Sequence, residues 1–76
     1  MPNLYDRVRT LIDVDTFHHG TLRAGSEGVI VDVYNAPGQY EIDLEIPAPE
    51  FSGGLTFENV GLPPDQFVVI RESNQT

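Results

Sequence analysis

Tyr40-Glu41-Ile42-Asp43-Leu44-Glu45-Ile46 alternates without a break, every even position apolar or aromatic and every odd one acidic. Successive side chains of a strand point to opposite faces, so this stretch reads as a strand with one face on a core and one on water. Just upstream, Gly28-Val29-Ile30-Val31-Asp32-Val33-Tyr34 is rich in β-branched residues. Between the two, Ala36-Pro37-Gly38-Gln39 carries proline and glycine at the central positions of a type II turn. The whole reads as a hairpin. With Ala36 opposite Gln39, Val33 faces Ile42, Val31 faces Leu44 and Val29 faces Ile46, and the apolar faces agree. The same register sets Asp32 against Asp43 on the outer face, beside Glu41 and Glu45. Like charges directly opposed destabilise a sheet, so Arg7 or Arg9 from the first strand is the expected compensation.

Working outward, Gly25 and Gly28 lie three apart in a turn that bends the chain sharply into the hairpin. Residues 4–12, with Leu4, Val8, Leu11 and Ile12, read as the first strand, and residues 13–24 show no period and form a long irregular loop. Downstream, Pro47 and Pro49 end the alternating strand, because proline cannot donate to a ladder, and Ser52-Gly53-Gly54 connects to a short fourth strand over residues 55–58. Prolines at 63 and 64 suit a single 3-10 turn. Phe67-Val68-Val69-Ile70 then reads as a closing strand buried on both sides, followed by a frayed tail over residues 71–76. The expected fold is all-β, a five-stranded SH3-like small barrel over residues 1–76, with a long loop after strand 1 and a 3-10 turn before the last strand.

Composition narrows the function. A chain of 76 residues buries only about 60% of the surface its unfolded form exposes, so the core must be compact. With no cysteine there is neither a disulfide framework nor a thiol nucleophile. The net charge of −8 comes from twelve carboxylates against four arginines and no lysine. Such a balance argues against nucleic acid and against an anionic membrane, and favours a basic partner, a cation or simple solubility. Met1-Pro2-Asn3-Leu4-Tyr5-Asp6 has no basic stretch leading into an apolar run, and no segment approaches the roughly 20 apolar residues of a membrane helix. A cytoplasmic location is expected.

The pattern resembles a family of short bacterial proteins, the domain of unknown function DUF4926. The residues that carry the likeness are Tyr5-Asp6, Val8, Leu11-Ile12, Leu22, Gly25, Gly28-Val29-Ile30-Val31, Tyr40-Glu41-Ile42-Asp43-Leu44 and residues 62–69. The connection over residues 47–54 is longer than that family's usual turn. The resemblance implies an SH3-like barrel and brings no catalytic residues. The turn at Gly25 and Gly28 also looks like that of ribosomal and transcription-factor small barrels, which are usually basic. A lesser likeness is to the barrel of nitrile hydratase β-subunits, which pairs a His-Gly-containing loop with a strand opened by such a turn.

Candidate chemistry is sparse. His18 and His19 suggest a metal, with Asp13 and Asp15 nearby in sequence, but adjacent residues on extended chain point apart and the spacing fails a calcium loop, so no metal or cofactor is assigned. Asp32 and Asp43 on a barrel wall have no cavity in which to act as an acid–base pair, and Ser26 has no oriented base. The expected role is therefore non-enzymatic, as a protein-binding or regulatory module. The candidate contact residues are Tyr5, Phe17, His18, His19, Asp32, Tyr34, Glu41, Asp43 and Glu45, with Phe17 expected to fold back over the open end of the barrel. The alternatives are a structural homo-oligomer pairing through exposed strand edges, or an accessory, metal-responsive subunit of an enzyme.

Overall fold

The computed structural model describes residues 2–33 and 38–73. In chain order the elements are β1 (Arg7–Thr10), β2 (Val14–Asp15), β3 (Thr21–Leu22), β4 (Glu27–Val33), β5 (Tyr40–Pro47), β6 (Leu55–Leu62), a 3-10 turn (Pro64–Gln66) and β7 (Phe67–Arg71). Antiparallel pairing links five of them in the order β6-β5-β4-β1-β7, and β2 with β3 makes a separate two-stranded ribbon. The sheet is open, with β6 and β7 as its edges.

β5 sets the phase of the sheet. Tyr40, Ile42, Leu44 and Ile46 are buried, and Glu41, Asp43 and Glu45 stay on the outer face. Tyr40, Ile42 and Leu44 join Val8, Val14, Ile30, Leu62 and Phe67 in one core, against which Leu22 of the ribbon also packs. The Tyr40 and Phe67 rings meet edge to face, 5.5 Å between centroids. Two strands, β4 and β1, separate those rings within the sheet, so the sheet must curl to bring them together. The 3-10 turn has proline at its start, as expected, and Gln66 N–H closes it onto the Pro63 carbonyl at 3.1 Å.

The hairpin register differs from the one read from the sequence. Val33 faces Tyr40 and Asp32 faces Glu41, then the register shifts, and Ile30 faces Ile42, Val29 faces Asp43 and Gly28 faces Leu44. Ile30 and Asp32 share the same parity, so a regular strand would bury both. A bulge at Val31 turns Ile30 inward and Asp32 outward. Asp32 therefore does not oppose Asp43, and before the bulge the inward positions of β4 are Gly28 and Ile30, not Val29 and Val31. Gly28 is obligatory there: a Cβ would stand 2.3 Å from the Asp43 carbonyl oxygen.

Other boundaries are also corrected. Only Arg7–Thr10 of residues 4–12 is strand, because Tyr5 sits at φ 68° in a turn whose N–H donates to the Ile30 carbonyl. The loop over residues 13–24 contains the β2–β3 ribbon. The fourth strand of the meander runs to Leu62, not Glu58, since Val60 and Leu62 keep the inward phase. β7 is an edge strand with Val68 exposed, not a strand buried on both sides. Arg71 and Ser73, which the sequence pattern leaves in the tail, are instead the last residue of β7 and the donor of an N–H to the buried Asp6 carboxylate at 2.7 Å. Ala36 and Pro37 of the hairpin turn lie outside the described residues.

Gly28→Ala tests the tight β4–β5 approach. The added methyl must displace backbone, so the folded state should lose about 3 kcal/mol, read as a lower urea midpoint at an unchanged slope. A midpoint equal to that of the parent protein would contradict the close approach.

Candidate functional site

β5 also decides what β6 buries. Leu44 faces Glu58 and Ile42 faces Val60, so Glu58 takes an inward position and is only 7% exposed. A carboxylate withdrawn from water must find donors. Among the described residues no arginine pairs with it; its donor comes from the turn that joins β2 to β3. His19 Nδ1 lies 2.6 Å from Oε1 in a hydrogen bond, and His18 Nδ1 stands 3.6 Å from Oε2, within ion-pair range. An ionised carboxylate only accepts, so the proton of the short contact resides on His19 Nδ1.

The turn is shaped to make this approach. The Thr16 hydroxyl donates to the Gly20 carbonyl at 2.6 Å and accepts the His19 N–H at 2.9 Å, and Gly20 adopts φ 66°. Asp15 accepts the Thr21 hydroxyl at 2.7 Å, and Asp13 accepts the Ala24 N–H at 2.8 Å. These two carboxylates brace the ribbon and stand apart from the histidines. Among the described residues no three His, Asp or Glu side chains form a group fit to hold a metal ion. The tight turn brings the adjacent histidines to one side, contrary to the extended-chain expectation.

Phe17 does not fold back over the core. It is 90% exposed, its ring packed edge to face on His18 at 4.8 Å, on the turn that His19 fastens to Glu58. The result is an exposed aromatic tip, Phe17-His18-His19, fixed to the core side of an edge strand.

The acidic ladder occupies the other face and is largely partnered. Arg7 grips Glu45 with two bonds of 2.7 Å and also reaches Glu27 at 3.2 Å, and Arg9 holds Glu27 at 3.1 Å. Bonding to Arg7 draws the Glu45 carboxyl below its ordinary range and raises Arg7 in turn, and bonding to Arg9 and Arg7 lowers Glu27. Asp43 accepts the Asn59 side-chain amide at 2.9 Å, and Asp32 accepts the Val33 N–H at 2.8 Å. Tyr5 is exposed beside the β4 bulge, and Tyr34 lies outside the described residues. The candidate residues thus separate into the tip on the core side and Asp32, Glu41, Asp43 and Glu45 on the outer face. The sequence reading missed Glu27 and Glu58; the signal for Glu58 is a glutamate at a position of β6 in phase with Leu62.

The family model described as Domain of unknown function (DUF4926) matches residues 4–69, and the chain belongs to that family. Comparison with curated proteins and with solved structures returned no match. No helix among the described residues is long and apolar enough to cross a membrane.

The clasp should fail in acid. The His19 hydrogen bond first, then the His18 charge and the Phe17 N–H, draw the Glu58 carboxyl below its ordinary value of 4.5. A depressed folded-state value gives stability that is full above the unfolded value and lost as pH falls through the folded one. Glu58→Gln should lower the urea midpoint at neutral pH and flatten the decline in stability between about pH 6 and pH 3. An equally steep decline in the variant would contradict the clasp.

Proposed function

We propose that this member of the DUF4926 family is a non-enzymatic, cytoplasmic protein-binding module on an SH3-like small barrel, and that it makes contact through Phe17, His18 and His19. The barrel reading is supported by the strand order, by the ribbon-bearing loop between β1 and β4, by the 3-10 turn before β7, and by the curl that joins Tyr40 to Phe67.

The observation that carries the binding role is the 90% exposure of Phe17 on a turn held in place by Glu58. An aromatic ring on a braced loop offers large apolar area with little left to order on binding. The formal charge of −8 favours a basic partner. Asp32, Glu41, Asp43 and Glu45 put carboxylates on the outer face, and Arg7 holds Glu45.

A photoreactive phenylalanine analogue at position 17, installed in the cell of origin and irradiated, should give a discrete cross-linked product. The same analogue at Val68, exposed on the opposite edge strand, should not. Equal labelling from both positions, or none from position 17, would remove the tip from the reading.

A further inference from the structure

We propose that the open edge of β6 pairs with β6 of a second copy of this chain, antiparallel, about a two-fold axis through Phe57. β6 pairs with β5 in unbroken register at all eight of its positions, Leu55 through Leu62, and contains neither proline nor a basic residue. Strand edges are ordinarily protected by such residues or by a bulge. The opposite edge, β7, is shorter, bulged against β1 and ended by Arg71.

The direction of the backbone groups is fixed by one bond. Ala48 N–H donates to the Gly54 carbonyl at 2.9 Å, in the same register as the rest of the β5–β6 ladder. Hydrogen-bonded pairs alternate along an antiparallel ladder, so Thr56, Glu58, Val60 and Leu62 bond to β5. Leu55, Phe57, Asn59 and Gly61 therefore turn their N–H and C=O groups to the open edge. All four are exposed, and they include two large apolar side chains, Phe57 at 52% and Leu55 at 39%.

Symmetry and charge select the register. A two-fold axis normal to the sheet keeps each face continuous. Centred on Glu58, it would set two carboxylates directly opposite each other. Centred on Asn59, it would place Phe57 against Gly61 and leave the exposed ring without a partner. Centred on Phe57, it pairs the two Phe57 rings on the outer face, Leu55 with Asn59 beside them, and Thr56 with Glu58 on the inner face. The hydrogen-bonding groups of Phe57, Leu55 and Asn59 then meet complementary groups. Glu45, the β5 neighbour of Phe57, is held by two bonds from Arg7, and Asp43, diagonal to Phe57, accepts the Asn59 amide. Each copy carries −8, so the dimer should tighten as salt screens the repulsion.

Two measurements on the purified chain test this. Light scattering across a concentration series should approach twice the 8.4 kDa chain mass, with a larger dimer fraction in high salt. The protein has no cysteine, so single Phe57→Cys, Asn59→Cys and Val68→Cys variants report proximity without background. Hydrogen-bonded antiparallel partners have Cα atoms about 5.5 Å apart, within disulfide reach. Under mild oxidation Phe57→Cys should cross-link at least tenfold faster than the other two variants. A mass of 8.4 kDa at every concentration would overturn the proposal and leave the edge to a strand from a different protein. So would cross-linking at 59 or 68 as fast as at 57. Neither result bears on the Phe17 tip, whose test is made with the cell's own proteins.

Discussion

A carboxylate taken out of water must be given hydrogen bonds, and the placement of Glu58 makes that requirement the hinge of this structure. β5 buries its even positions, and its pairing with β6 brings Glu58 to the inner side. Among the described residues Glu58 takes its hydrogen bond from the β2–β3 turn, from His19 at 2.6 Å, with His18 at 3.6 Å as an ion-pair neighbour. The bond that satisfies the carboxylate fastens the turn on which Phe17 stands exposed. Fold and candidate contact surface thus share one cause.

The outer face solves the opposite problem, an excess of negative charge with few cations. Two arginines on β1 serve the carboxylates nearest them: Arg7 bridges Glu45 and Glu27, and Arg9 adds a second bond to Glu27. These pairs are partly exposed, and pairs of that kind contribute modestly to stability. Their structural effect is to let β4 and β5 run side by side beneath a row of acids. The same pairing neutralises Glu45, the β5 neighbour of Phe57, in a chain that is strongly negative.

Much of this was legible in the sequence, and the rest was hidden for identifiable reasons. The strict alternation over residues 40–46 gave β5 and its faces, and Pro63-Pro64 gave the 3-10 turn. The register of β4 was not legible, because Val29, Ile30, Val31 and Val33 put apolar side chains on both phases. The bulge that resolves the conflict between Ile30 and Asp32 leaves no composition signal. β6 looked short because Asn59 and Gly61 resemble a turn, yet both lie on its outer side where little packing is asked of them. Glu58 as an anchor followed only from the pairing with β5, and without that anchor Phe17 reads as an ordinary apolar residue seeking cover. Arg7 as the partner of the ladder was anticipated; Glu27, lying between two glycines, was not.

The most direct measurement of the central claim is backbone relaxation at the amide of Phe17 in the unmodified protein at neutral pH. A tip fastened by Glu58 should give an order parameter near the ~0.85 of rigid backbone, matching the strands around it. A value below about 0.6, typical of a flexible loop, would contradict the account.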